Sequence, residues 1–180
     1  MDFKPLTISD KMKKLLGSLL LVFILMSCKF TTENNRNDLI VCIAFDDNCA
    51  SVYHYALPQM HEFGYRGTVF TNSGTVGRTG YMSWQQVDSL YHTFQWEIGG
   101  HTANHEHLPD LTPQEADEVI RTDFYAFQNR GISVKSFALP CGACPAEYYP
   151  IILKHYMNVR TSYNLSMRNP VDRTLLKALS

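Results

Sequence analysis

Residues 97–108 read Glu97-Ile-Gly-Gly-His101-Thr-Ala-Asn-His105-Glu-His107-Leu108, and they hold three of the seven histidines in the chain. The three apolar residues within 94–98 predict a strand that ends in this stretch. Gly99 and Gly100 predict that the backbone turns sharply there, since glycine is the residue best suited to a tight turn. The stretch therefore predicts a strand end that carries a cluster of imidazoles.

Two of these histidines are candidate metal ligands, because imidazole is the side chain that most often binds metals in proteins. His101 and His105 are four residues apart, a spacing that lets both rings point the same way from one helical turn. A divalent ion normally takes a third protein ligand as well. The pair Asp46-Asp47 is the candidate for that ligand.

Strand and helix signals alternate through the rest of the chain, which predicts a parallel α/β fold. The predicted strands lie at 39–45, 67–71, 94–98, 134–138 and 157–161. The predicted helices lie at 51–63, 83–92, 113–129 and 147–155, and residues 174–179 predict one or two helical turns. The first strand is continuously apolar, which is typical of a strand covered on both faces, so Cys42 is predicted to be buried.

Polar clusters follow three of the predicted strands, at Asp46-Asp47, at residues 101–105 and at residues 140–142. The carboxyl ends of parallel strands meet at one edge of the sheet, so these clusters are predicted neighbours. One carboxylate with two imidazoles is the ligand set of a catalytic Zn²⁺ site with an open position. Neighbouring residues of an extended chain point opposite ways, so one aspartate would bind the ion and the other would accept a proton from water. The pattern predicts metal-assisted hydrolysis of an amide or ester.

The composition is that of one globular domain, with 45% hydrophobic residues, 18% charged residues and a net charge of −1 in 180 residues. No basic stripe is present, so nucleic acid is excluded as an expected partner.

The N-terminus predicts an export signal and a lipid anchor. Lysines precede an apolar run at residues 15–26 that is too short to span a bilayer comfortably. Residues 25–28, Leu-Met-Ser-Cys28, resemble a bacterial lipobox and predict lipidation of Cys28; a plain signal peptide is the alternative. The predicted organisation is a signal peptide at 1–27, a polar tether at 28–38 and a domain at 39–180. We expect an exported protein anchored to a bacterial membrane.

The three strand-end clusters resemble the first three motifs of the polysaccharide deacetylases with the NodB homology domain (carbohydrate esterase family 4). These clusters are Ala44-Phe-Asp-Asp-Asn48, His101-Thr-Ala-Asn-His105 and Phe137-Ala-Leu-Pro-Cys-Gly142. The resemblance covers residues 39–161 and implies a distorted (β/α) barrel.

The resemblance also implies a function, the removal of acetyl groups from N-acetylated or O-acetylated carbohydrate. It makes Asp46 the general base, and Asp47, His101 and His105 the ligands of Zn²⁺, or of Co²⁺ or Ni²⁺. It assigns the backbone N–H of Cys141 to the oxyanion, and Thr102, Pro140 and Gly142 to the loops around the substrate.

Two departures from the family pattern are visible. Many members carry, in place of Ala138, an arginine that braces the catalytic aspartate. The family's last motif supplies a histidine as general acid, and no histidine follows His155. A closed (β/α) barrel takes about 200 residues or more, so the sequence predicts a barrel that is incomplete at its C-terminus. A catalytically impaired relative that only binds carbohydrate is therefore an alternative.

The cysteines leave two further readings open. Cys141-Gly-Ala-Cys144 follows a predicted strand and precedes a predicted helix, which is the context of a thiol–disulfide oxidoreductase. A disulfide from Cys49 to Cys141 or Cys144 is the other reading, since export permits disulfides.

Overall fold

The computed structural model describes residues 41–162 and a strand at 175–177, and the core of that region is a parallel sheet. Six strands lie side by side in chain order, and every neighbouring pair is parallel. They are β1 (Ala44–Phe45), β2 (Thr68–Thr71), β3 (Glu97–Gly100), β4 (Ser136–Ala138), β5 (Asn158–Thr161) and β6 (Leu175–Lys177). The sheet is an open part of a (β/α) barrel, which confirms the predicted fold class.

Helical segments connect β1 through β5 in the described residues, as parallel strands require. The α-helices are α1 (Leu57–Glu62), α2 (Trp84–His92), α3 (Pro113–Gln128) and α4 (Tyr149–Ile152). A π-helical segment, Val52–Ala56, leads into α1, and short 3₁₀ turns lie at Leu108–Asp110, Pro140–Gly142 and Ala146–Tyr148. Within the described range, no helix is both long and apolar enough to span a membrane.

The starts of α2 and α3 follow from the sequence. Ser83 and Gln86 form a complete capping box before α2, and Thr112 and Glu115 form another before α3. In each box the hydroxyl accepts from the N3 backbone N–H and the N3 side chain accepts from the capping residue. Both predicted helix starts are thus confirmed.

The predicted helical turn at residues 174–179 is wrong for the three residues that are described there. Residues Leu175–Lys177 form β6, which pairs in parallel with β5 in the register Arg160 to Leu176. The segment is too short to show a helical period, so the ladder offered by β5 decides its conformation.

The expectation of a first strand buried on both faces is also wrong for the described residues. Only Ala44–Phe45 joins the ladder, and Val41 is 70% exposed. Cys42, predicted to be buried, is exposed as well. β1 pairs with β2 alone and so forms an edge of the described sheet. An apolar run therefore does not guarantee burial where a strand has only one neighbour.

Gly99 and Gly100 do not make the predicted turn, because both lie within β3 and neither has a positive φ. Their role is to permit close packing. A Cβ on Gly99 would lie 2.5 Å from Cδ1 of Phe70. A Cβ on Gly100 would lie 2.8 Å from Oδ2 of Asp123 and closer still to the hydroxyl of Tyr156. The glycines thus bring the carboxyl end of β3 against its neighbours.

Candidate metal centre

The loop after β1 turns on two consecutive residues in left-handed backbone, Asp47 (φ 65°) and Asn48 (φ 41°). Aspartate and asparagine tolerate this region better than most residues. Asn48 is fully buried, and its Oδ1 accepts from the backbone N–H of Asn72 (2.9 Å) and the hydroxyl of Thr75 (3.2 Å). The Asn48 side chain therefore fixes the loop that carries the two aspartates.

The loop after β3 is irregular, so the prediction that His101 and His105 share one helical turn is wrong. Left-handed backbone at Thr102 (φ 59°) and His105 (φ 61°) replaces the helix. The hydroxyl of Thr102 accepts from the backbone N–H of Glu106 at 2.9 Å, which closes the loop. The two imidazole rings still converge, with centroids 4.9 Å apart.

Asp47, His101 and His105 form one compact group. Oδ1 of Asp47 lies 3.5 Å from Nε2 of His101 and 3.5 Å from Nε2 of His105. One potential ligand atom from each residue lies within 4.8 Å of the others, a spacing that can hold a metal ion. His101 is buried, whereas His105 and Asp47 are open to solvent on one side. The group is thus accessible from outside.

The hydrogen bond of His101 fixes its tautomer. Nδ1 lies 2.8 Å from the backbone oxygen of Ala138, which can only accept, so Nδ1 carries the proton. In the neutral ring Nε2 is then the nitrogen without a proton, and it lies 3.5 Å from Oδ1 of Asp47. A carbonyl partner on the far nitrogen is the usual arrangement of a metal-binding histidine.

Oδ1 of the Asp47 carboxylate lacks the hydrogen-bond partner that a buried oxygen normally has. Its contact with the His101 side chain lowers the pKa of this carboxyl, as do the charges of His101 and His105, against the opposing effect of partial burial. The 3.5 Å contacts are long for hydrogen bonds, and Oδ1 is buried without a hydrogen-bond partner. An ionised, unsatisfied oxygen facing two imidazole nitrogens fits a divalent cation with nitrogen and oxygen ligands.

Asp46 does not join this group. Its carboxylate accepts hydrogen bonds from Nη2 of Arg160, which lies 2.7 Å from Oδ1 and 2.6 Å from Oδ2. The two adjacent aspartates therefore have separate partners. Left-handed backbone at Asp47, rather than the expected extended chain, accompanies this separation. The division into one ligand and one proton acceptor stays a prediction.

A sequence model of the family described as polysaccharide deacetylase matches residues 33–159. The chain belongs to the polysaccharide deacetylase family. A comparison with curated proteins found none that matches.

Solved structures share the polysaccharide deacetylase fold with this chain at low identity. Deacetylase PplD from Streptococcus pyogenes, in complex with acetate, superimposes with a TM-score of 0.71 at 17% identity, over 79% of this chain and 66% of that one. IcaB from Ammonifex degensii superimposes with a TM-score of 0.69 at 23% identity, over 80% of this chain and 70% of that one. A polysaccharide deacetylase from Bacillus cereus superimposes with a TM-score of 0.68 at 17% identity, over 77% of this chain and 46% of that one. The chain thus spans from under half to about 70% of the length of these proteins.

The third motif of the polysaccharide deacetylases lies where predicted, after β4. Residues Pro140–Gly142 form a 3₁₀ turn in which Pro140 and Gly142 are buried. Cys141 is exposed and has left-handed backbone, with φ 55°. A Cβ on Gly142 would collide with the Ser162 side chain, so glycine is required there.

The cysteines near this turn are free thiols, and the expected disulfide from Cys49 is not formed. Burial, with a smaller effect of the Glu147 charge, raises the pKa of Cys144 to about 11. No long helix begins at Cys141, although a helix N-terminus is a common means of activating a redox cysteine. The arrangement does not favour the oxidoreductase reading.

Two polar residues that support the site were not predicted. Asp123 is fully buried on α3, where Oδ1 accepts from the backbone N–H of Ser73 (2.9 Å) and Oδ2 from that of His101 (3.1 Å). Burial raises the pKa of Asp123 to about 6, against the lowering effect of these donors. Its signal was a carboxylate on the apolar stripe of an amphipathic helix. The signal for Arg160 was a charge next to the carboxyl end of a strand.

Proposed function

We propose that this chain is a metal-dependent hydrolase that removes acetyl groups from N-acetylated or O-acetylated carbohydrate. The observation that carries the proposal is the group of Asp47, His101 and His105, with an unsatisfied carboxylate oxygen between two imidazole nitrogens. Family membership and the shared fold support a deacetylase. The structure of PplD holds acetate, which is the product expected of this reaction.

The ion would be held by Asp47 Oδ1, His101 Nε2 and His105 Nε2. Two nitrogens and one carboxylate oxygen favour Zn²⁺, with Co²⁺ or Ni²⁺ as substitutes. When bound, a divalent ion supplies Lewis-acid polarisation of the acetyl carbonyl and makes water a stronger acid. Three protein ligands and an accessible side leave room for both water and substrate.

Asp46 is the general base in this proposal. It is 40% exposed and free of the metal group, so its carboxylate can accept a proton from the attacking water. The new bond joins the water oxygen to the acetyl carbon, and the bond from that carbon to nitrogen or oxygen breaks. The leaving atom needs one proton, and the proton held by Asp46 balances the step. The backbone N–H of Cys141 would stabilise the developing oxyanion.

The proposed setting is the exported face of a bacterial membrane. A lipid attached to Cys28 would anchor the chain, with residues 29–38 as tether, and acetylated polysaccharide or oligosaccharide would be the partner. Cys28 and the tether lie outside the described residues, so the lipobox sequence alone supports this part of the proposal.

The test is acetate release from N-acetylglucosamine oligomers and from an O-acetylated xylan, measured before and after zinc is restored to the dialysed chain. We expect activity that requires the metal, together with about one zinc ion per chain by elemental analysis. Absence of stoichiometric zinc, cobalt or nickel binding would contradict the proposal.

Asp46→Asn is the variant that separates an enzyme from a carbohydrate-binding relative. It should still bind one zinc ion, because Asp46 is not in the ligand group, but acetate release should fall about 100-fold or more. Equal acetate release by wild type and Asp46→Asn would favour the impaired relative.

A further inference from the structure

We propose that Arg160 is the positioning residue that holds the Asp46 carboxylate in its working orientation. The proposal rests on the proposed function, in which Asp46 accepts the proton from water. Arg160 would act through Asp46 and would touch neither the acetyl group nor the metal ligands.

The first support is the contact itself. One guanidinium nitrogen, Nη2 of Arg160, lies 2.7 Å from Oδ1 and 2.6 Å from Oδ2 of Asp46. Charge-assisted hydrogen bonds of this length are among the stronger polar contacts in proteins. A donor shared by both oxygens restrains rotation of the carboxylate about its Cβ–Cγ bond. Asp46 otherwise stands in a loop and is 40% exposed.

The second support is that the guanidinium is itself held in place. Arg160 lies within β5 and is only 16% exposed. Its Cζ lies 4.9 Å from the ring centroid of Phe70 on β2, within the range of a cation–π contact. Two rigid strands therefore fix the donor, and the donor fixes the loop residue. A surface ion pair between two mobile side chains would not have this property.

The third support is the register of the sheet. Arg160 on β5 is paired with Ala138 on β4, and the methyl side chain of Ala138 offers no hydrogen-bond donor. Residues paired in parallel strands point to the same face. Of these two paired residues, only Arg160 can therefore donate to Asp46.

The first experiment compares zinc-loaded Arg160→Ala with wild type in acetate release. We expect kcat to fall about 100-fold, the size of effect that a misplaced catalytic group produces, with KM changed by less than about threefold. Zinc stoichiometry should not change, because Asp47, His101 and His105 keep their places. Arg160→Lys should lie between wild type and Arg160→Ala, since it retains the charge without the planar guanidinium.

Chemical rescue distinguishes positioning from a structural role. Guanidinium chloride at non-denaturing millimolar concentration should raise the kcat of Arg160→Ala at least about tenfold, because the free ion can occupy the vacated site. The matched control is Arg130→Ala, which also removes an ion pair (Asp88) and a cation–π contact (Trp84, 4.1 Å). Arg130 lies outside the candidate site, so its kcat should stay at the wild-type value and added guanidinium should not raise it. Unchanged kcat in Arg160→Ala, or no rescue, would overturn the proposal.

A measurement that does not depend on catalytic activity separates the positioning role of Arg160 from the proposed deacetylase function. In a double-mutant cycle of urea unfolding with Asp46→Asn and Arg160→Ala, we expect the two residues to be coupled by about fivefold in the unfolding equilibrium constant. Absence of coupling would overturn the positioning of Asp46 even in an active enzyme. An inactive wild type that still showed the coupling would overturn the proposed function and support the Asp46–Arg160 contact.

Discussion

His101 donates from Nδ1 to the backbone oxygen of Ala138 at 2.8 Å. The main chain of β4 therefore sets the tautomer of this candidate ligand, which directly follows the neighbouring strand β3. Because the acceptor is a backbone carbonyl, substitution of the side chain at position 138 leaves the bond in place. The tautomer of His101 is in this respect independent of the side chain at position 138.

The ligand group predicts which histidine matters for metal binding. His101→Ala should weaken zinc binding about 100-fold or more, because it removes a buried ligand and leaves Asp47 with one imidazole. The measurement is isothermal titration with zinc. His107→Ala is the control: His107 pairs with Asp110 at 3.0 Å and lies outside the group. Equal loss in both variants would contradict the assignment.

The close approach at Gly100 predicts a large effect of a single methyl group. Gly100→Ala should destabilise the chain by about 1–3 kcal/mol, because the new Cβ would meet Tyr156 and Asp123. Tyr156→Phe should cost less in the Gly100→Ala background than in wild type, because the methyl already displaces the hydroxyl from Asp123. Urea unfolding of the four proteins measures this, and additive effects would refute the packing argument.

The capping box of α3 predicts a pH dependence of stability. Hydrogen bonds from the Thr112 backbone and hydroxyl lower the pKa of the exposed Glu115 carboxyl below its usual 4.5. The folded chain therefore holds this proton less tightly than the unfolded chain. The stabilisation is fully present above pH 4.5 and is lost as the pH falls through the lowered pKa.

Unfolding midpoints in urea between pH 2.5 and 6 would show this dependence. Thr112→Ala should lower stability by about 1 kcal/mol at pH 6 and should lose less than wild type on acidification. Glu115→Gln serves as the matched control, since it keeps an acceptor for the box but cannot titrate. A wild-type acid slope no steeper than that of Glu115→Gln would show that the box does not depend on the charge.

Cys144 is predicted to be the least reactive of the four described cysteines. Burial raises its pKa to about 11, and only the thiolate is nucleophilic. With iodoacetamide at pH 8, we expect Cys144 to react at least about tenfold more slowly than the exposed Cys141. Peptide mass spectrometry over time measures both rates. Faster alkylation of Cys144 than of Cys141 would revive the redox reading.

The sequence predicted the parallel sheet and the meeting of its polar strand ends, because both follow from local patterns. Apolar runs marked the strands, and capping boxes marked α2 and α3. Because the carboxyl ends of parallel strands meet at one edge of the sheet, the polar clusters that follow them were expected to be neighbours. Asp47, His101 and His105 therefore met as expected.

The parts that could not be predicted depend on contacts distant in sequence. Arg160 and Asp46 are separated by 114 residues, so no local pattern connects them. The close approach that requires glycine at position 100 involves Asp123 on α3 and Tyr156 in the segment between α4 and β5. The helical spacing of His101 and His105 misled, because left-handed backbone at Thr102 breaks the helix. Spacing therefore suggested a ligand pair for the wrong conformational reason.

Asp123 holds the chain after β2 with one oxygen and the chain at His101 with the other. Two segments that are distant in sequence are therefore tied to a single side chain of α3, and one of them carries the buried imidazole of His101. A substitution that shifts this helix would displace both segments together, so it could alter the geometry of the candidate ligands without replacing any of them.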